Sequence, residues 1–377
     1  MLIISVYIIC FFICILLLLL NEKIKLNQKS FLECIVIIIL CTIAGFRDLS
    51  IGTDVNIYVK PMFQAALYAK NFSQYLEYSW FSFYKYVFVK DFEFGFSIVI
   101  YIISNIFKNI SAVLFFIHLL IIVPIYKALH KVSKEFPTWI SMIVFLFIYY
   151  NQTLNMMRQW IAMSFLIYGY TFLRENNTKK YIILVIVALL FHKTAIIGLI
   201  ILIIFKYVQK KNVISPTINI IKVCIISVII VFSLNIIVEF LNLIGYSKYI
   251  VYINGNLHLS INQLIIRVPI LVLLIINYKK LQQHFKDFPF LITMIFLDLI
   301  FSQLATISQY SIRISVYFSE YSILSYSALC CFKYHNGSYK FRDIINIIIL
   351  ILYSISYWIF YYVISGSCHT VPYKFIM

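Results

Sequence analysis

The stretch that decides the fold is the opening run MLIISVYIICFFICILLLLL (Met1–Leu20). It holds no charged side chain, and twenty residues at about 1.5 Å each cross about 30 Å of hydrocarbon as one helix. No basic segment precedes the apolar run and no small-residue cleavage site follows it, so it reads as a retained first helix. The rest of the chain keeps this character. Of 377 residues, 63% are hydrophobic, 18% aromatic and 12% charged. A soluble domain has about a quarter of its residues charged, so this chain lacks the polar side chains to cover a water-facing surface. With 9 Gly and 7 Pro, collagen and disorder are excluded as well. Cys10, Cys14, Cys34, Cys41 and Cys224 sit inside apolar runs and behave as small hydrophobes, and no C-x-x-C pair is present. The expected fold is an all-α polytopic membrane protein forming a single integral-membrane domain over 1–377.

Apolar runs near 2–20, 31–46, 111–128, 138–150, 154–173, 181–191, 194–206, 219–244, 263–278, 288–306, 313–332 and 344–364 predict about 12 transmembrane helices. The segment 93–107 is apolar but poorly placed for a crossing, and reads as re-entrant or interfacial. The net charge of +17 resolves mainly into topology. Loops at 21–30, 127–136, 174–180, 206–222, 279–287 and 333–343 carry 19 of the 31 basic residues against five acidic ones. Lys and Arg are retained in cytoplasmic loops, so these six are expected inside. Both termini, the 245–262 loop and the long loop 47–95 then face outward. Nucleic acid is not an expected partner. An aromatic stretch from Tyr68 to Lys90 reads as an amphipathic interfacial helix, with a sugar-stacking surface as the alternative.

Ionisable groups at membrane depth cost several kcal/mol on insertion scales, so each one present needs a reason. Four places stand out. In GFRDLSIGTDVNIYVKPMF (Gly45–Phe63), Arg47, Asp48 and Asp54 cluster around a Gly52-Thr53-Asp54 turn; a snorkelling Arg47 beside an ordinary loop is the plainer reading. In NQTLNMMRQWIA (Asn151–Ala162), Asn151, Asn155, Arg158 and Gln159 place a polar stripe on an apolar helix. Such a stripe faces a bundle interior or a cavity, either as a structural network or as an anion site built on the Arg158 fork. Phe191-His192-Lys193-Thr194 breaks the sixth span at its outer end, where His192 is a packing residue or a base. In the tenth and eleventh spans, Asp298, Ser302 and Thr306 share one face and Arg313, Tyr317 and Glu320 another, with an Asp298–Arg313 pair as the structural expectation.

Taken in order, these places resemble the EpsG family of bacterial membrane proteins, which groups with the Wzy-type O-antigen and capsule polymerases. The matching blocks are F-R-D-x-x-I-G-T-D-x-x-x-Y (Phe46 to Tyr58), E-F-G-F (Glu93 to Phe96), N-M-M-R-Q-x-I-A (Asn155 to Ala162) and A-L-L-F-H-K-T-A (Ala188 to Ala195). R-I-S-V-Y-F (Arg313 to Phe318) and V-P-Y-K-F (Val371 to Phe375) follow more weakly. The resemblance implies a helical bundle like that of the glycosyltransferase C enzymes, in the bacterial cytoplasmic (inner) membrane with its active site facing outward. It implies transfer of a growing glycan from undecaprenyl diphosphate to a lipid-linked oligosaccharide repeat unit, in O-antigen, capsule or exopolysaccharide synthesis. Membrane lipids, a flippase and a chain-length regulator are the other candidate partners.

That reaction builds negative charge on a diphosphate leaving group, which preorganised cations stabilise. No metal-binding motif occurs, so arginine is expected where other enzymes use magnesium, and no cofactor is called for. Arg158 and Arg313 are the candidates, with Arg47 and Lys193 in reserve. The acceptor hydroxyl must lose a proton, for which Asp54 and His192 are the candidate bases, Asp54 preferred for its place in a turn at the outer face. Thr53, Tyr58, Asn155, Gln159 and Tyr317 complete the expected substrate contacts. A lipid-linked oligosaccharide flippase, a membrane O-acyltransferase using His192 and the related ligase are the competing readings. Matching sequence halves, which many transporters show, are absent.

Overall fold

The computed structural model describes residues 2–23, 26–82, 84–133, 135, 137–209, 216–243, 257–307, 312–330 and 341–376. The expected loop segments 210–215, 245–256 and 333–340 lie outside them. The described chain is helical throughout, apart from one hairpin. In order, the helices are α1 (Leu2–Lys23), α2 (Leu26–Gly45), α3 (Lys60–Tyr68), α4 (Phe72–Glu77), α5 (Phe94–Phe107), α6 (Ile110–Val132), α7 (Thr138–Val144), α8 (Tyr150–Asn155), α9 (Met157–Arg174) and α10 (Thr178–Leu189). After them come α11 (Ile197–Val208), α12 (Pro216–Leu243), α13 (Ile261–Ile276), α14 (Tyr278–His284), α15 (Phe288–Ser302), α16 (Arg313–Ser319), α17 (Ser322–Ala328) and α18 (Phe341–Trp358). Between α4 and α5, strands β1 (Ser79–Ser82) and β2 (Lys85–Phe88) pair antiparallel, with Phe81 opposite Tyr86. The amphipathic helix expected across this aromatic stretch is therefore confined to α4. The Ser79–Phe88 run is rich in the aromatic residues that favour a pleated surface.

Every apolar run expected to be a span is helical where it is described, but continuity is less than composition suggested. Ile110–Val132, Phe288–Thr306 and Ile344–Ile364 are long and apolar enough to cross a bilayer, and Ile261–Ile276 with Tyr278–His284 forms a further candidate bent by 69°. Val6–Glu22, Phe31–Gly45, Phe94–Phe107 and Pro216–Val231 are shorter apolar helices. Breaks shorten the others. A π-turn at Phe145–Tyr149 separates α7 from α8, and Met156 separates α8 from α9. Outward-facing apolar side chains such as Ile8, Ile9, Phe12 and Leu16 on α1 and Ile182, Ile183 and Ile186 on α10 are exposed, as surfaces that meet lipid are.

The contacts divide the chain into two compact units, one of Met1–Ser133, Pro137–Gly198 and Ile351–Met377, the other of Lys134–Phe136 and Leu199–Leu350. In the first unit α9 packs between α6 and α10, and α6 packs on α2. Gly169 lets α10 come close, since a Cβ there would stand 2.9 Å from the Tyr181 ring. Tyr181 then donates to the Gly198 carbonyl across 2.8 Å. In the second unit α15 packs against α12, α13 and α16.

Candidate functional site

The site grows from the break between α8 and α9. Met156, at φ −89° and ψ 54°, leaves the helical region and interrupts the backbone ladder. The Leu154 carbonyl beside the break accepts from Arg47 Nη2 at 3.0 Å. Arg47 is wholly buried, and its Nη1 lies 3.4 Å from His118 Nε2. The other ring nitrogen of His118 donates to the Leu114 carbonyl at 2.9 Å, which leaves Nε2 to accept from the guanidinium. Gly52 approaches the same Leu154 carbonyl with φ +79°, and a Cβ there would stand 2.4 Å from the oxygen. Only glycine combines that backbone with that proximity. The turn it opens is held on α8: the Thr53 hydroxyl donates to Asn155 Oδ1 at 2.9 Å and the Asp54 amide donates to the same oxygen at 3.3 Å. The C-terminal block closes over this region. The Asp48 amide donates to the Lys374 carbonyl at 2.8 Å, the Ile376 amide to the Phe46 carbonyl at 2.9 Å and the Gly52 amide to the His369 carbonyl at 3.0 Å.

Two residues past the break, Arg158 Nη1 donates to Glu93 Oε2 at 2.6 Å. The guanidinium carbon lies 4.9 Å from the Tyr58 ring centre and 4.8 Å from that of Phe92, and the two ring centres are themselves 5.3 Å apart, so the cation sits against an aromatic pair. Phe92 is stacked on Trp80, whose indole N–H donates to the Ile57 carbonyl at 2.9 Å. The Tyr58 hydroxyl donates to the Asp54 carboxylate. Burial, and then the Asp54 charge, push the Tyr58 hydroxyl well above the usual phenol range, so it remains a donor. The second Glu93 oxygen accepts from the Lys193 amide at 3.2 Å. Burial raises the Glu93 carboxyl, but the Arg158 guanidinium and backbone hydrogen bonding outweigh it and hold the group below the usual glutamate range. Gly95 makes this docking close: its amide donates to the Leu190 carbonyl at 2.8 Å, and a Cβ at Gly95 would meet that oxygen at 2.8 Å. His192 Nδ1 lies 2.6 Å from the Thr194 hydroxyl. Thr53, Lys193 and Thr194 are exposed, and Asp54, Asn155, Arg158 and His192 are half-buried.

The first unit thus brings together Arg47, Thr53, Asp54, Tyr58, Asn155, Arg158, His192 and Lys193, from blocks up to 146 positions apart. Gln159 is buried on α9. Arg313 and Tyr317 belong to the second unit, where Arg313, half-buried, opens α16 and Tyr317 is buried further along it. There the expected Asp298–Arg313 pair is replaced by another. Arg267 on α13 donates from Nε and Nη2 to the two carboxylate oxygens of Asp298, at 2.8 and 3.1 Å, because α13 packs directly on α15. Sequence reading missed Arg267, although a guanidinium inside an apolar run is a visible signal. It named Glu93 only as part of the E-F-G-F block and gave it no role, and it missed His118.

The site lies at one end of the first unit's helices. At the other, His130 Nδ1 is 3.4 Å from Glu33 and Lys131 Nζ is 2.8 Å from Glu175, so the basic loops 127–136 and 174–180 gather there. Along α9, Arg158 at the site and Arg174 at the other end are 16 residues apart, about 24 Å at 1.5 Å per residue. Compared with known proteins, residues 30–375 match the model described as the EpsG family. No curated protein and no solved structure matches the chain.

Proposed function

The chain belongs to the EpsG family, and on that premise we propose that it is a membrane glycosyltransferase that polymerises oligosaccharide repeat units at the outer face of the cytoplasmic membrane. The donor is a growing glycan on undecaprenyl diphosphate, and the acceptor is the terminal sugar of a lipid-linked repeat unit. The observation that carries this reading is the convergence of four separate sequence blocks on the half-buried Arg158. An arginine seated against two contacting aromatic rings and hydrogen-bonded to Glu93 is a preorganised fork for diphosphate oxygens, and it stabilises the charge that develops as the leaving group departs. The separation of this cluster from the basic loops supports the outward assignment.

In this reading Asp54 takes the proton of the attacking hydroxyl, and Tyr58 orients the carboxylate by its hydrogen bond. The acceptor oxygen bonds to the anomeric carbon as the bond to the diphosphate breaks, and undecaprenyl diphosphate leaves with the electron pair. Thr53 and Asn155 hold the turn, while His192 and Lys193 border the site as further polar contacts. Arg47, fully buried, acts by positioning the turn and the break. Arg313 and Tyr317 take no step here. About twelve crossings remain the proposed topology.

The direct test supplies purified full-length protein with lipid-linked repeat units and follows undecaprenyl diphosphate release and lengthening of the lipid-linked glycan. Release in step with lengthening supports the assignment. Flipping of the substrate across vesicles without any lengthening would replace it with a transporter.

A further inference from the structure

Resting on that reading, we infer that Glu93 is a positioning residue that sets how tightly Arg158 holds the diphosphate: it pins one edge of the guanidinium and opposes part of its charge. Glu93 is 9% exposed and spans two partners, Arg158 Nη1 at 2.6 Å and the Lys193 amide at 3.2 Å. It contacts Arg158 through one nitrogen only, and the arginine side chain retains 24% exposure. A guanidinium carries five N–H donors; Glu93 and the Tyr58 hydroxyl take part of them and Nε is buried, and the remaining donors are left for a ligand. A bidentate clamp of the kind Arg267 makes on Asp298 would have occupied the fork. The contacting rings of Tyr58 and Phe92 support the cation on one side, and the Glu93 hydrogen bond holds its Nη1 edge.

The carboxylate also bears on turnover. A diphosphate bound at Arg158 meets the Glu93 charge close by, and like charges in a partly desolvated site repel strongly. An unopposed arginine would hold donor and departing undecaprenyl diphosphate alike, and tight binding of a product slows its release. Glu93 therefore lowers affinity while preserving geometry, a combination a purely structural partner does not produce.

Equilibrium binding of undecaprenyl diphosphate to the full chain in nanodiscs tests this. Glu93→Gln keeps an acceptor for Arg158 Nη1 and removes the charge, so its affinity should rise about tenfold, the equivalent of roughly one pairwise charge contact. Steady-state polymerisation should show KM and kcat falling together in that variant. Glu93→Asp keeps the charge one methylene further back and should tighten binding by less, which tests the inference independently should the Gln variant not fold. Equal or weaker binding by folded variants, beside a wild type that binds, overturns this inference alone. A wild type that does not bind the diphosphate overturns the function on which it rests, and the inference with it.

Discussion

At Arg158 the difference between a guanidinium and an ammonium is open to measurement. Lysine keeps the charge opposite Glu93, so Arg158→Lys should stay within about 1 kcal/mol of wild-type stability. It loses the planar fork and the guanidinium's contacts with the Tyr58 and Phe92 rings, and the transfer rate should fall by about 10²–10³-fold. Initial rates beside thermal unfolding in one detergent check both halves. A lysine variant with wild-type rate removes the fork from the mechanism. Arg158, Asp54 and Asn155 were legible in the sequence because polar side chains on an apolar background need a reason. Glu93 was visible only as part of the E-F-G-F block and not in its role, because its partner is 65 positions away and nothing local marks a carboxylate as a counter-ion. Arg47 was legible as a residue but not in its role. Its total burial against Leu154, Met157 and His118 comes from a helix break that periodicity does not show.

The elements that shape the site are breaks rather than regular helices. The α8–α9 break presents a carbonyl, and the Gly52 turn fits against it with no room for a side chain. Gly52→Ala and Gly366→Ala form a matched pair, since both glycines have positive φ, +79° and +64°, but nothing lies within 4 Å of a Cβ at Gly366. Backbone strain alone should cost Gly366→Ala about 1 kcal/mol. Gly52→Ala adds the clash with Leu154 and should cost about 3 kcal/mol, with loss of activity as the Thr53–Asn155 contact opens. Equal unfolding shifts for the two variants would show that the turn is not packed on the break. At this scale the sequence spoke clearly for helices, because long apolar runs admit little else in lipid. It spoke poorly for the β1–β2 hairpin, where an aromatic run with no clear period serves strand and interfacial helix equally.

For the whole molecule, the charge pattern and the fold agree in the first unit. The basic loops at 127–136 and 174–180 meet at one end, and the sites read from the F-R-D, E-F-G-F, R-Q and F-H-K blocks meet at the other. Blocks far apart in the chain gain a common place because the helices that carry them alternate in direction, which no single block can reveal. The pairing of Arg267 with Asp298 shows the same limit in the second unit, where helix neighbours decided the partner. The central claim, that Arg158 serves glycan polymerisation, is tested most directly by the size distribution of surface glycan. The strain lacking this gene would be complemented with wild type or with Arg158→Lys at matched membrane levels. The account predicts a full ladder from the wild-type gene, and single repeat units with little or no ladder from the variant. A wild-type ladder from the variant would contradict it.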